Sequence, residues 1–247
     1  MTRGVVVLIA WLAGMGSVRA DVGFGLPPVR DDILRGVGIG EFILVPMVGV
    51  SAAYHSNLFR EDVSEGPSAA TIVSVRPGLR LFNPDPSWVR LSWAAAGGFH
   101  WYFSDDPKAR EQGRYSAEST LRADFLPRSV VGFFVQDTFL RDVQPRNDSS
   151  SATYDRNFNH AEAGIQIRPG GGALEIALSY AFNFDLFDSF SAADLFYHEG
   201  RLLATWDFLP KTAVFLDANL RFLNWRNRLD GMREDSMPLR AVAGVRG

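Results

Sequence analysis

Apolar and polar residues alternate along most of this chain with a period of two. In Tyr115–Phe125, for example, one set of alternate positions includes Leu121 and Phe125, whereas the other includes Glu118 and Arg122. Successive side chains of a β-strand point to opposite faces, so a segment of this kind has one apolar and one polar face. The pattern therefore predicts β-strands.

Ten segments carry this alternation and are predicted to form strands. They are Phe42–Tyr54, Thr71–Phe82, Ser87–Phe103, Tyr115–Phe125, Val130–Leu140, His160–Arg168, Leu174–Asn183, Glu199–Asp207, Val214–Phe222 and Leu239–Val245. The fifth segment is apolar on both faces at its start, so its register stays open. Pro46, Pro77 and Pro238 lie inside or at the start of predicted strands. Because proline donates no hydrogen bond to a sheet, we expect bulges or strand ends there.

The connections between these segments alternate in length. Short turns surround prolines that recur about every 41 residues, at Pro86, Pro127, Pro169 and Pro210. Longer polar loops lie between them, at Asn57–Ser68, Ser104–Gly113, Asp142–Ala152, Asp185–Ala193 and Arg226–Ser236. Short turns at one end and long loops at the other are typical of outer-membrane β-barrels, whose short turns face the periplasm. We therefore predict an all-β fold, an antiparallel transmembrane β-barrel with about ten strands in this chain.

Two other β-architectures compete with this prediction. A β-propeller also repeats at about 40–45 residues, but each repeat packs four short strands, whereas the repeats here hold two longer runs. A soluble lipocalin-like barrel would turn its apolar face inward, and alternation alone does not decide which face is inside. Aromatic residues favour the membrane barrel because they cluster at both strand ends, as interfacial girdles do. They are Phe82, Trp88, Phe125, Trp206 and Phe208 at the short-turn ends, and Trp101, Tyr115, Phe139, Phe184, Phe196, Phe222 and Trp225 at the loop ends.

The first twenty residues predict a secretory signal peptide. Arg3 supplies a positive charge, Gly4–Met15 is a short apolar run, and Val18–Ala20 fits a cleavage site. As a helix the apolar run would be about 18 Å long, which is short of the ~30 Å hydrocarbon core of a membrane. The predicted organisation is a signal peptide over 1–20, a periplasmic linker over 21–39 and an outer-membrane β-barrel over 40–247 of a Gram-negative cell.

Composition removes several classes of function. The chain has 25 Lys and Arg against 28 Asp and Glu, without a long run of one sign, which argues against binding nucleic acid through a basic face. It contains no cysteine, which excludes disulfides, zinc fingers and thiol catalysis. The four histidines, His55, His100, His160 and His198, are not at close ligand spacing. We therefore predict neither a metal nor another cofactor.

The polar face, interpreted as the lumen of the barrel, carries seven arginines and seven carboxylates. These lumen candidates are Arg76, Arg80, Arg90, Arg122, Arg168, Arg201, Arg221, Glu118, Asp124, Glu162, Glu175, Glu199, Asp207 and Asp217. Because the two signs are interspersed, they form no filter for anions or for cations. Two interpretations stay open: the charges pair across the wall and fill a narrow barrel, or they line a hydrated passage for a neutral or weakly charged polar solute.

Some outer-membrane barrels are enzymes, and two histidines of this chain are candidates for a catalytic base. His100 lies on the polar face beside Tyr102, and His160 lies near Glu162. Catalysis needs a nucleophile, a base and a group that orients the base. The sequence shows neither such a set nor a G-x-S-x-G motif, so we predict no enzymatic activity and no catalytic residue.

Three short motifs resemble a family of outer-membrane β-barrel porins associated with exopolysaccharide export. Tyr54 and Asn57, within SAAYHSNLFRED (Ser51–Asp62), match the Tyr-x-x-Asn turn that ends an early strand of that family. Pro77-Gly78-Leu79 matches the next strand, and GGFHWYFSDDP (Gly97–Pro107) resembles its aromatic third strand. The resemblance covers roughly residues 40–107, and the rest of the chain follows only the general pattern.

The resemblance implies a conduit that assists the secretion of exopolysaccharide across the outer membrane, without catalytic residues. It implies as partners the outer-membrane lipid, the barrel-insertion machinery, a polysaccharide-export lipoprotein and a polysaccharide chain, but no nucleic acid. Members of the family have about sixteen to eighteen strands, so we expect these ten to belong to a larger barrel, with a ten-stranded barrel as the alternative. The alternative functions are a structural or adhesive barrel without transport and, less favoured, a barrel enzyme.

Overall fold

The computed structural model of the 247-residue chain describes residues 7–11, 36–58, 68–85, 88–112, 114–144, 154–188, 194–226 and 235–246. Within these ranges the chain is almost entirely β-structure. The strands are β1 (Val7–Trp11), β2 (Val37–Ile39), β3 (Phe42–His55), β4 (Ala70–Phe82), β5 (Val89–Phe103), β6 (Tyr115–Phe125), β7 (Val131–Gln144), β8 (Tyr154–Ile167), β9 (Leu174–Phe187), β10 (Leu195–Leu209), β11 (Thr212–Trp225) and β12 (Leu239–Arg246). A one-turn helix, α1, spans Pro107–Arg110, and a 3₁₀ turn spans Pro169–Gly172. No helix in the described part is long and apolar enough to cross a membrane.

The strands form one antiparallel sheet with a simple order. From β3 onward each strand pairs with the next one in the sequence as far as β12, whereas β1 and β2 both pair with β3. The ends of this linear path are β1 and β12. All ten predicted strands are present as β3 to β12, so the all-β, antiparallel prediction is confirmed.

The register of the last strands places apolar residues opposite apolar ones and opposite charges opposite each other. Leu178 of β9 faces Leu202 of β10, and Glu199 of β10 faces Arg221 of β11. A shift by one residue would move every apolar side chain to the other face. The alternation of the sequence and the pairing of the strands therefore support the same register.

Several strands extend further toward the long loops than the alternation predicted. Strand β8 begins at Tyr154, six residues before the predicted start at His160. Its added residues include Asp155, Asn157 and Asn159 at one set of alternate positions and Arg156 and Phe158 at the other, and Asp155 accepts a hydrogen bond from Arg141 of β7 at 3.2 Å. Because Arg156 interrupts the second set, hydrophobic alternation did not mark this part of the strand.

The prolines fall at different places in the strands. Pro46 lies between the β3 residues that pair with β2 and those that pair with β1, where no amide donor is needed toward either strand. Pro77 lies inside β4 and is exposed. Pro238 precedes β12 and its carbonyl accepts the Arg221 amide at 3.1 Å, so the expected strand end is confirmed there.

Two short strands lie outside the ten predicted ones. Strand β2, in the predicted linker, turns back onto β3 through Gly40, whose φ of 63° is in the left-handed region that glycine adopts without strain. Strand β1 lies in the predicted signal peptide and pairs with Gly49–Ala53. The rest of the predicted signal peptide and of the linker before residue 36 lies outside the described residues.

The chain divides into two compact units. Unit 1 comprises Met1–Leu81, Ala94–Glu118 and Leu140–Arg156, and unit 2 comprises Phe82–Trp93, Ser119–Phe139 and Asn157–Gly247. In unit 1 a small apolar cluster is formed by Leu58, Ala70 and Ala109, with Ile72 and Tyr102 packed against it. In unit 2 the buried apolar residues are Ala123, Phe134, Ala181 and Ala213.

The distribution of exposed and buried side chains differs from that of a typical water-soluble domain. Large apolar side chains are exposed on the strands, among them Phe103 at 60% and Leu178 at 60%. Several polar side chains are buried as well, including His100 at 6% and Asp124 at 8%, and the one large side chain described as fully buried is Asn183. Soluble proteins bury large apolar residues and expose charged ones.

Candidate functional site

A hydrogen-bonded row of polar side chains crosses three strands of unit 1. The Ser74 hydroxyl on β4 lies 2.7 Å from Nδ1 of His100 on β5, and the Ser116 hydroxyl on β6 lies 2.8 Å from its Nε2. In a neutral imidazole one ring nitrogen donates and the other accepts, and a hydroxyl serves either role. Both polar atoms of the buried ring are therefore satisfied.

An ion pair lies two residues further along the same strand faces. Arg76 follows Ser74 on β4, Glu118 follows Ser116 on β6, and their side chains meet at 2.7 Å. The corresponding position on β5, between them, is Gly98. A Cβ atom at Gly98 would lie 2.9 Å from Nε2 of His100. The glycine thus leaves space for contacts that reach across β5, and these residues define the polar face of unit 1.

In unit 2, Arg122 is held by three partners on its own strand and on β7. Its Nε and Nη2 donate to the Asp124 carboxylate at 2.7–3.2 Å, and its Nη1 donates to Gln136 at 3.0 Å. The guanidinium also lies 5.0 Å from the centre of the Phe134 ring. Phe134 is therefore buried on the polar face, beneath a cation.

Further ion pairs occupy the polar face of unit 2 on β8 to β11. They are Arg168–Glu175 at 3.6 Å, Arg201–Asp217 at 2.7 Å and Arg221–Glu199 at 2.8 Å. The last two join β10 to β11, because the register of these strands brings opposite charges together. Arg221 also lies 5.7 Å from the ring of Tyr197.

A second histidine cluster lies on β8 and β9 of unit 2. His160 Nδ1 is 2.6 Å from Oδ1 of Asn183, and its Nε2 is 3.4 Å from the Glu162 carboxylate. Amide and carboxylate oxygens only accept, so a hydrogen bond to either of them is donated by a ring N–H group. The Nδ2 group of Asn183 is buried without a hydrogen-bond partner among the described residues.

The structure brings most of the predicted lumen residues together as pairs. Ten of the fourteen form five ion pairs with one another: Arg76–Glu118, Arg122–Asp124, Arg168–Glu175, Arg201–Asp217 and Arg221–Glu199. Glu162 contacts His160, and Asp207 lies 3.9 Å from Arg246. Arg80 is half-buried and Arg90 is exposed. The hydrogen-bond networks also include uncharged residues that were not among the predicted lumen candidates, namely Ser74, Ser116, Gln136 and Asn183.

Several exposed aromatic residues lie toward the two ends of the strands, whereas Tyr180 is exposed in the middle of β9. At the short-turn end Trp88 contacts Phe125 with ring centres 6.4 Å apart, and Trp206 contacts Phe208 at 5.6 Å. Near the loop end Tyr115 meets Phe99 edge-on at 5.6 Å. The side chains of these pairs are exposed except that of Phe125, which is half-buried, and the interfacial girdles stay a prediction.

The two histidines do not form a complete catalytic set in the described contacts. His100 has a hydroxyl on each nitrogen, so a potential nucleophile is present without a carboxylate to orient the ring. His160 has the reverse arrangement, an amide and a carboxylate without a hydroxyl. Among the described residues there is also no group of three or more metal-ligating side chains. The absence of catalysis stays a prediction.

The loop between β5 and β6 is organised by hydrogen bonds. Asp106 caps α1 by accepting the Lys108 amide at 2.9 Å, and its other oxygen accepts the Ser68 hydroxyl. The Ser104 hydroxyl donates to the Ala69 carbonyl at 2.5 Å. The loop is thus joined to the residues that precede β4. An open pocket of about 500 Å³ beside it is lined by Tyr54, Ala69, Thr71, Tyr102, Phe103, Ser104, Asp105 and Arg110.

The pKa of Asp106 is predicted to respond to its Ser68 contact. The hydroxyl of Ser68, followed by the Lys108 amide and the charges of Lys108 and Arg110, lowers the pKa of the carboxyl from 3.8. The stabilisation is therefore present above 3.8 and is lost as the pH falls through the lowered pKa. In a carbon-13 titration, Ser68→Ala should move the Asp106 midpoint upward and more than Lys108→Ala does. An equal midpoint in wild type and Ser68→Ala would contradict this assignment.

No family model matches this sequence, and no curated protein or solved structure is significantly similar to the chain. The resemblance to the exopolysaccharide-associated barrels therefore stays a prediction.

Proposed function

We propose that this chain forms the wall of an outer-membrane β-barrel whose polar strand faces line a conduit for polar solutes. The observation that carries the proposal is the distribution of exposed and buried side chains on the strands: Phe103 and Leu178 are exposed, whereas His100 and Asn183 are buried. Strands of a membrane barrel turn apolar side chains toward lipid and polar ones toward the lumen. The exposed aromatic pairs at both strand ends are consistent with interfacial girdles.

A water-soluble β-domain explains the same observations less well. It would leave an apolar surface that includes Val131, Phe133 and Val135 in contact with water, while it buried ion pairs such as Arg76–Glu118. Large contiguous apolar patches are rarely exposed on soluble monomers. In lipid, by contrast, exposure of these side chains is favourable and the ion pairs are shielded from the hydrocarbon.

The proposed solute is a neutral or weakly charged saccharide chain, and the proposed activity is assistance to exopolysaccharide secretion. Paired charges of both signs, together with half-buried hydroxyl and amide groups such as those of Ser116 and Gln136, offer hydrogen bonds without net attraction for ions. The predicted signal peptide supports export, and the family resemblance supports the kind of polymer. Outer-membrane lipid, the insertion machinery and an export lipoprotein are the proposed partners.

In planar lipid bilayers the protein is expected to conduct with little preference for anions or cations. Five ion pairs join ten of the fourteen predicted lumen charges, so the field along the conduit has no dominant sign. The measurement is the reversal potential in a potassium chloride gradient. Two opposite variants serve as matched controls, because each leaves one member of a pair unpaired: Glu199→Gln should shift selectivity toward anions and Arg221→Gln toward cations.

If the protein showed no conductance in bilayers, the result would contradict the conduit and favour a structural or adhesive barrel. A strong preference for one ion in the wild type would contradict the assignment of these residues to the lumen. If the two variants left the reversal potential unchanged in a conducting protein, Glu199 and Arg221 would lie outside the permeation path.

A further inference from the structure

We infer that residues 104–112 of the β5–β6 loop form a cap over the polar face of unit 1 and limit the size of solute that passes; this inference rests on the proposed conduit. The loop does not extend away from the strands. Its helix α1 places Ala109 at 0% exposure, in contact with Leu58 and Ala70, which are 5% and 1% exposed.

The position of this contact follows from the alternation of the strands. Ile72 and Tyr102 pack against the apolar cluster. Ile72 lies two residues before Ser74 on β4, and Tyr102 lies two residues after His100 on β5. Residues two apart on a strand lie on the same face. Because the side chains of Ser74 and His100 are hydrogen-bonded to each other, the cap lies on the polar face that the proposed conduit uses.

The cap is fastened by specific bonds as well as by packing. Asp106 accepts the Ser68 hydroxyl, and Ser104 donates to the carbonyl before Ala70. Gln112 at the end of the loop is 3% exposed, and its side-chain amide donates to the Lys108 carbonyl at 2.9 Å. A loop with a buried anchor and side-chain bonds opens less often than one without them. The cap therefore acts as a fixed constriction.

Two adjacent substitutions to the same residue test the cap. Ala109→Gln adds a polar side chain where no space is open, whereas Lys108→Gln replaces an exposed side chain on the same helical turn. In bilayers and in liposome-swelling assays with saccharides of increasing size, Ala109→Gln should raise single-channel conductance and admit larger sugars than wild type. Lys108→Gln should match wild type in both measurements.

A chemical probe measures the cap independently of transport. The chain has no cysteine, so Ile72→Cys introduces a unique thiol beneath the cap. Ala109→Gln should accelerate its reaction with a charged thiol reagent about tenfold, which corresponds to about 1.4 kcal/mol in the opening equilibrium. If Ala109→Gln does not fold, the pair Ser68→Cys with Asp106→Cys replaces it. That pair should match wild-type conductance when oxidised and show higher conductance when reduced.

The outcomes separate the cap from the conduit. Equal conductance, size limit and labelling in wild type and Ala109→Gln would overturn the cap and leave the conduit standing. Silent bilayers for every variant would overturn the conduit and with it the size-limiting role, even if Ala109→Gln accelerated labelling. Conductance that rises only when the cap is displaced would support both.

Discussion

Leu178→Arg is expected to destabilise the protein in a lipid bilayer by about 2–4 kcal/mol, the cost of an arginine on the lipid face near the middle of a membrane barrel. Leu178 is 60% exposed and faces Leu202 on the neighbouring strand, within the apolar part of β9. A guanidinium there would have to reach the interface or draw water into the hydrocarbon. The free energy of unfolding by urea in liposomes measures the effect.

Leu209→Arg is the matched control. Leu209 is 55% exposed, close to the value for Leu178, but it is the last residue of β10 and precedes the turn at Pro210. At the interface the same substitution should cost only about 0–1 kcal/mol. If Leu178→Arg cost no more than Leu209→Arg, the exposed apolar face would not lie in lipid, and a soluble β-domain would be favoured.

Gly164→Ala is expected to destabilise unit 2 by about 1–3 kcal/mol, the usual cost of adding a carbon to a filled site. A Cβ atom at this position would lie 2.5 Å from Cε1 of Phe134 and 2.7 Å from the carbonyl oxygen of Leu178. The ring cannot move freely, because Phe134 is buried and Arg122 lies above it. Urea unfolding in the same liposomes measures the change.

Gly200→Ala provides the comparison, since a Cβ atom at Gly200 would have no neighbour within 4 Å. Its effect should stay within about 0.5 kcal/mol. Phe134→Leu should partly suppress Gly164→Ala in a double-mutant cycle, because it removes the ring contact but leaves the contact with the backbone of Leu178. Additive effects of the two substitutions would show that Phe134 does not occupy the space above Gly164.

The fold class was predictable because alternation is a local property. Ten strands could be located from residues within each segment, since the two faces of a strand differ in polarity wherever one is apolar. The same reasoning missed the first residues of β8, where Asp155 and Asn157 make one face polar and Arg156 interrupts the other. It also missed β1 and β2, which have their partners on β3 and are too short to show a period.

The candidate site was predictable in its charges but not in its contacts. Arg76 and Glu118 were both assigned to the polar face, yet they are 42 residues apart and on strands separated by β5. Their contact depends on strand order and on register. Nothing in the sequence singled out Ser74 and Ser116 as the partners of His100, because they lie 26 and 16 residues from it in the chain.

The sequence by itself determined the strands, the two face polarities and the balance of charge, because each depends only on residue type and spacing along the chain. Only the tertiary structure decided the register of β7, where Val131, Phe133 and Val135 are exposed and Phe134 is buried. Both faces of that segment are apolar, and burial is settled by the neighbouring strands, which bring Gly164 beneath the Phe134 ring. The packing of Ala109 over the polar face was likewise set by residues distant in sequence, which only the folded sheet brings together.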